Sequence, residues 1–264
     1  MEIIICNSED EVGVLGAAKV AQIARRVGPG VVIGVATGGS PLATYQHLAE
    51  LVEAGSLDLS QASAFALDEY AGLPVEHPES YHAVIDRTVT KPLHLDPARV
   101  HVPDGSLAGL ETAGQRYDAA IVAAGGVDVQ ILGIGANGHI GFNEPMSSLH
   151  SRTRMKTLTP RTRADNARYF DSEDQVPIHC ITQGIGTIME ARNLLLVACG
   201  AHKAEAIAAA VEGPVTSWCP ASVLQMHPRA TVIIDEAAAE LLEMADYYRY
   251  IYSHLPEWQK LEIR

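Results

Sequence analysis

Short apolar runs recur along this chain, and most are followed by a stretch with helical period. The runs are Glu2–Cys6, Val31–Val35, Ala62–Leu67, Asp128–Leu132, Leu194–Ala198 and Thr231–Ile234, with Arg99–Val102 as a shorter one. Between them, Glu9–Val27 carries Val12, Leu15, Ala18 and Ile23 at helical spacing, and the segment after Pro41 carries Leu42, Tyr45, Leu48 and Val52. Leu110–Ala124 and the alanine-rich stretch ending at Val211 read the same way. A strand that is apolar on both sides has to be covered on both faces. Strands alternating with helices build a mostly parallel sheet. The expected fold class is therefore α/β, an open, mostly parallel Rossmann-like sheet with helices on both faces. A (β/α)₈ barrel is the rival, and the uneven strand spacing argues against it. Thr182–Ala191 and Ala221–Met226 are expected as further helices, with the last long helix starting at Glu236–Ala245.

Where these runs end, the sequence changes character. Ile131–Met146 reads ILGIGANGHIGFNEPM, an apolar strand spilling into glycines that surround Asn137, His139 and Glu144. In open α/β sheets, ligands bind outside the carboxyl ends of the strands. The stretch is not a dinucleotide fingerprint, because Pro145 and the Ser/Arg-rich region after it break the helix that motif requires. Val31–Val35 ends in Ala36-Thr37-Gly38-Gly39-Ser40-Pro41. This turn offers backbone N–H groups, two hydroxyls and a helix start, a set suited to a phosphate. Ser40 is placed to cap the helix, with Pro41 in its first turn. It lacks the lysine of a P-loop, so a nucleoside triphosphate is not the natural ligand. Ala62–Leu67 ends in Asp68-Glu69-Tyr70. Neighbouring side chains on an extended strand point to opposite faces, so one functional carboxylate is expected rather than a coupled pair. His77–Tyr81 is expected to start a helix. Lys203 sits in the first turn of the helix after Leu194–Ala198, where a cation opposes the helix dipole unless an anion lies between them.

Composition narrows the function. Lys plus Arg number 19 against 32 Asp plus Glu, a formal charge of -13. Such a surface repels nucleic-acid backbones, while a small anionic substrate needs only local positive charge. Cys6, Cys180, Cys199 and Cys219 form no CxxC unit, so they are expected as reduced thiols in a cytoplasmic protein. No run reaches the length of a membrane span. The most basic stretch is 147–171, with Arg152, Arg154, Lys156, Arg161, Arg163 and Arg168. A lid is expected around 147–171, with Pro160–Phe170 as a helix that closes over the site. The chain is otherwise expected to be one domain over 1–264.

A site needs an anion anchor and proton-transfer groups. Thr37, Gly38, Gly39, Ser40, Arg168 and Lys203 suit the first role. Asp68 suits a general base, and His139 with Glu144 an acid–base pair. No metal-ligand spacing and no serine elbow occurs. These residues point to proton transfer on a phosphorylated small molecule with no metal and no cofactor.

The ordered segments ATGGSP (Ala36–Pro41), LDEY (Leu67–Tyr70), HPESY (His77–Tyr81), GIGANGHIGFNEP (Gly133–Pro145), SRTRMKTLT (Ser151–Thr159) and AVEGPV (Ala210–Val215) span most of the chain. Together they resemble the glucosamine/galactosamine-6-phosphate isomerase family, and within it the glucosamine-6-phosphate deaminases. The resemblance implies conversion of D-glucosamine 6-phosphate and water to D-fructose 6-phosphate and ammonia, without a cofactor. It implies that Asp68 moves a proton between C2 and C1, that His139 helps to open the pyranose ring at O5, and that Glu144 supports His139. It further implies that the phosphate lies on Gly38, Gly39 and Ser40 with Arg168 and Lys203. Asn137 departs from members that carry aspartate there; asparagine holds no charge but can orient a neighbour by hydrogen bonding. In allosteric hexameric members, Ser147, Arg154 and Lys156 match residues that hold the phosphate of N-acetylglucosamine 6-phosphate, whereas Arg249 stands where a tail tyrosine takes part. A homo-oligomer such as a hexamer and a monomer both remain open. The alternatives are a 6-phosphogluconolactonase-like hydrolase and a non-catalytic sugar-phosphate sensor domain.

Overall fold

The computed structural model describes residues 1–261. Strand β1 (Glu2–Cys6) leads into helix α1 (Glu9–Val27), which Ser8 caps by accepting a hydrogen bond from the Glu11 N–H. Strand β2 (Val32–Val35) and helix α2 (Leu42–Glu53) follow. Strand β3 (Ser63–Ala66) is succeeded at once by a separate strand, β4 (Asp68–Tyr70), and then by helix α3 (Tyr81–Ile85). The middle of the chain forms β5 (Val100–His101), α4 (Leu110–Ala123), β6 (Val129–Leu132), β7 (Arg154–Thr157) and α5 (Pro160–Asn166). The chain continues through β8 (His179–Thr182), α6 (Ile185–Met189), β9 (Leu194–Ala198), α7 (Ala204–Val211), β10 (Ala230–Asp235) and α8 (Ala245–Ser253). Among the described residues, no helix is long and apolar enough to cross a membrane.

The main sheet has seven strands in the order β1-β10-β9-β6-β2-β3-β5, every neighbouring pair parallel. Its strands send alternate side chains to two separate cores. Leu194, Leu196, Val232 and Ile234 join Tyr117 of α4, Ile188 of α6 and Ile207 of α7 on one face. Leu195, Val197, Ile131 and Ile233 join Leu15 of α1 and Tyr45 and Leu48 of α2 on the other. Period-2 alternation thus feeds two helical layers at once, which is why these strands read as unbroken apolar runs.

A second sheet, order β4-β8-β7, is antiparallel and small. Leu67 joins the two sheets: its N–H donates to Val35 O and its carbonyl accepts from Gln183 N. The chain therefore changes sheets immediately before Asp68. Beneath the small sheet lies a third cluster of Tyr70, Phe142, Leu158, Val176 and Cys180.

Four expectations need correcting. Thr182–Ala191 is not one helix: His179–Thr182 is strand β8, and only Ile185–Met189 is helical. Gly184, whose added Cβ would lie 2.0 Å from the Ser151 carbonyl, marks the break between them. The last helix does not start at Glu236: residues 236–244 are mostly turns, and α8 begins at Ala245, the end of the expected stretch. The helix expected at His77 begins at Tyr81, where Ser80 accepts from the Ala83 N–H. Ser40 does not cap α2, which has Pro41 at its cap position and no side-chain cap.

Candidate active site

The carboxyl ends of β2, β6 and β9 and the start of β4 meet at one cavity of about 600 Å³. Thr37–Ser40 come from the end of β2, Asp68 from β4, and Gly133, Gly135 and His139 from the loop after β6. His202 and Lys203 line it from the end of β9, and Arg161, Asn166 and Arg168 from α5 and the turn that follows.

The turn after β2 is held from behind. Tyr45 of α2 accepts from Ala36 N and donates to Ala36 O, both at 2.9 Å. Gly38 has a φ of +91°, which turns the backbone in a way L side chains resist. With no helix cap to make, the Ser40 hydroxyl remains available to the cavity. Lys203 Nζ donates to Ile134 O at 2.7 Å. Burial holds its pKa below the usual lysine value, and the neighbouring Arg168 lowers it further. Two cations that face each other in this way are relieved by an anion between them.

Asp68 is 5% exposed. Burial pushes its pKa well above the usual carboxylate range, and the Glu69 charge adds to this. Glu69 faces elsewhere: it accepts from the N–H groups of Tyr70 at 2.7 Å and of Tyr81 and His82, both at 2.9 Å. Glu69 therefore anchors the start of α3, and Asp68 alone opens on the cavity.

The His139 ring lies flat on the backbone of Gly135, where an added Cβ would stand 2.2 Å from the ring Cε1. Only glycine permits that approach. His139 Nδ1 is 3.7 Å from Glu144 Oε2, an ion-pair contact longer than a hydrogen bond. Asn137 Nδ2 donates to that oxygen at 2.7 Å, and Asn137 Oδ1 accepts from the His139 N–H at 3.2 Å. Asn137 thus orients the main chain of His139 rather than its ring. Burial raises the pKa of Glu144, but His139, the Thr162 hydroxyl and the Asn137 amide outweigh it and hold the group at about 2. Neither Asn137 nor Glu144 lines the cavity; both stand behind His139.

Thr159 and Thr162 join the site without a clear signal in the sequence. Both hydroxyls donate to Glu144 Oε1, Thr159 at 3.2 Å and Thr162 more closely. A trace of this lies in the Thr159-Pro160-x-Thr162 spacing, a helix-start signature, but nothing there names Glu144 as acceptor. Arg161, Asn166 and Tyr70 were also not singled out as cavity residues. Ser147, Arg154 and Lys156 lie outside the cavity lining. Ser147 is buried with its hydroxyl unpartnered among the described residues, and Arg154 donates to Asn143 Oδ1 at 2.8 Å. Arg249 is engaged by Glu236 and Asp246.

The family described as glucosamine-6-phosphate isomerases/6-phosphogluconolactonase matches residues 10–233. The chain belongs to this family. Glucosamine-6-phosphate deaminase of Bifidobacterium longum is 59% identical over 267 residues, covering 98% of each chain. The same-named protein of Cutibacterium acnes is 58% identical over 250 residues, covering 95% of each. Among solved structures, a monomeric glucosamine-6-phosphate deaminase superposes with a TM-score of 0.88 at 40% identity, covering 91% of this chain and 100% of that one. The 6-phosphogluconolactonase from Trypanosoma cruzi reaches a TM-score of 0.74 at 19% identity, covering 92% and 97%. The glucosamine-6-phosphate isomerase fold is therefore shared by both groups, and the cavity's chemistry has to separate them.

Proposed function

We infer that the chain converts D-glucosamine 6-phosphate and water to D-fructose 6-phosphate and ammonia. The observation that carries this reading is one cavity lined by an anion-binding turn, a single buried carboxylate and an imidazole. In this reading the substrate phosphate rests on the N–H groups of Gly38, Gly39 and Ser40, with Thr37, Lys203 and Arg168 around it. His139 passes the proton of the anomeric hydroxyl to the ring oxygen as the C1–O5 bond breaks and the C1 aldehyde forms. Asp68 then takes the C2 proton, the C2–H electrons form a C1–C2 double bond, and the C1 oxygen is protonated, leaving an enolamine. Asp68 returns its proton to C1, giving a C2 imine, and water hydrolyses the imine to the ketone and ammonia.

Asp68 suits this task because burial raises its proton affinity. Glu144 remains charged and supports His139 from behind. We assign 158–170 as the lid, since its side chains roof the cavity without belonging to either sheet. Four free thiols support a reducing, cytoplasmic setting. Ser147, Arg154 and Lys156 are assigned as a second anion site; a solution mass with and without N-acetylglucosamine 6-phosphate tests both that role and the assembly.

A lactonase has no use for a base beside C2, so the two activities of this fold part at Asp68. A coupled assay for fructose 6-phosphate, run beside hydrolysis of 6-phosphogluconolactone, decides between them. The expected result is product from the amino sugar alone, abolished in Asp68→Asn. Full activity in that variant would remove the base assignment, and lactone hydrolysis alone would overturn the reading.

A further inference from the structure

His139 Nδ1 is buried and has no hydrogen-bond partner among the described residues, although a charged carboxylate stands 3.7 Å away. An unpaired ring nitrogen beside an acceptor needs a reason, because the hydrogen bond between them is worth making. Glu144 supplies the reason. Its Oε2 is held by Asn137 Nδ2, and its Oε1 by the hydroxyls of Thr159 and Thr162. These donors occupy both carboxylate oxygens, and the ring nitrogen makes no hydrogen bond to either.

The two threonines belong to α5. Thr159 is the cap residue, its hydroxyl accepting from the Thr162 N–H at 3.2 Å and lying 3.0 Å from Thr162 Oγ1. The first turn of the lid helix is therefore wired to the carboxylate behind His139. The same turn lines the cavity through Arg161 and Thr162, and Arg168 follows at its far end.

We propose that Thr162, helped by Thr159, is a positioning residue through which the lid helix sets the distance between Glu144 and His139. With α5 in the observed place, Glu144 is held off the ring. When α5 shifts around a bound phosphosugar, Glu144 shifts with it and the His139–Glu144 contact changes. The lid thereby tunes the proton affinity of the imidazole as it closes. This rests on the assigned reaction only for its purpose; the coupling itself is a property of the free protein.

Other charged and titratable groups stand around the pair: Asp68 from β4, Arg161, Asp165 and Arg168 from the lid, and His202 and Lys203 after β9 line the cavity that His139 lines, and Cys180 of β8 lies near Glu144. None of these residues is itself replaced in a Thr162 variant. A difference between parent and variant therefore isolates the threonine.

The test is NMR titration of the His139 ring in the full-length protein, assigned through His139→Gln. Thr162→Val keeps the shape and removes the donor. It frees Oε1 to turn to Nδ1, and the His139 midpoint is expected to rise by roughly one pH unit. Thr162→Ser restores the hydroxyl and is expected to return the midpoint to the parent value. In a Glu144→Gln background, Thr162→Val is expected to cause no shift. Thr159→Val, which removes the longer bond, is expected to give a smaller rise and serves should Thr162→Val not fold. An unmoved midpoint, a shift that persists without Glu144, or a serine variant that behaves like valine would each overturn the proposal. Because the readout needs no turnover, failure of this coupling and failure of the assigned reaction are distinguishable.

Discussion

Asp68 and Glu144 are both 5% exposed, yet their surroundings drive them in opposite directions. Asp68 opens strand β4 of the small sheet and its side chain receives no hydrogen bond from the described residues, so burial pushes its proton affinity up. Glu144 gathers donors from Asn137, Thr159 and Thr162 and is held at about 2. Equal burial therefore says little about charge; the donors decide it. Carboxylates driven apart in this way mark separate tasks, one passing protons and the other holding charge.

The largest expected effect comes from Asp68→Asn. Turnover should fall by roughly 10³-fold, the scale of a lost general base. Stability should rise. The folded pKa lies above 3.8, so between those two values the folded state binds more protons, and stability is lost as pH rises through that window. At neutral pH asparagine removes this penalty, which a thermal melt reads as a higher midpoint. A variant both inactive and less stable would break the comparison.

Glu144→Gln should do the reverse. Its folded pKa of about 2 lies below 4.5, so its stabilisation is present above 4.5 and fades as pH falls toward 2. Denaturant unfolding at neutral pH should show a loss on the order of 2 kcal/mol, the scale of hydrogen bonds to a charged group. The difference from the parent should close on acidification. Turnover should fall less than in Asp68→Asn.

Gly38→Ala separates anchoring from proton transfer. A Cβ there meets nothing within 4 Å, so the cost is the strain of a φ of +91° alone, about 1 kcal/mol. The reshaped turn should raise KM for the phosphosugar while leaving the pH profile in place. The smallest effect belongs to Asn137→Asp. A second carboxylate 2.7 Å from Glu144 would have to share a proton with it, so the kcat–pH profile should move while turnover persists. Identical profiles would remove any electrostatic role for Asn137.

The legible and illegible parts of this chain differ in how locally they are determined. Glu2–Cys6 and Glu9–Val27 are read to the residue, because β-branched residues, helical spacing and the Gly28-Pro29-Gly30 stop all act within a few positions. The glycine turns after Val31–Val35 and Asp128–Leu132 are legible for the same reason. The small sheet is not. Arg154–Thr157 alternates half-buried with exposed residues, and its pairing with His179–Thr182 spans a long loop, so neither strand announces its partner. Thr159 and Thr162 escape notice because their acceptor, Glu144, lies on a separate loop. The helix expected from Glu236 gets no further than a cap-like turn: Asp235 accepts from the Ala238 N–H, but turns follow and α8 starts only at Ala245.

The central claim is that one shielded carboxylate, Asp68, carries a proton from C2 to C1. D-glucosamine 6-phosphate deuterated at C2 tests it directly, with the label followed by NMR into the fructose 6-phosphate formed. The account predicts deuterium at C1 of the product, because a buried acid exchanges slowly with water, and no labelled product from Asp68→Asn. Label released wholly to water, with Asp68→Asn turning over at the parent rate, would contradict it.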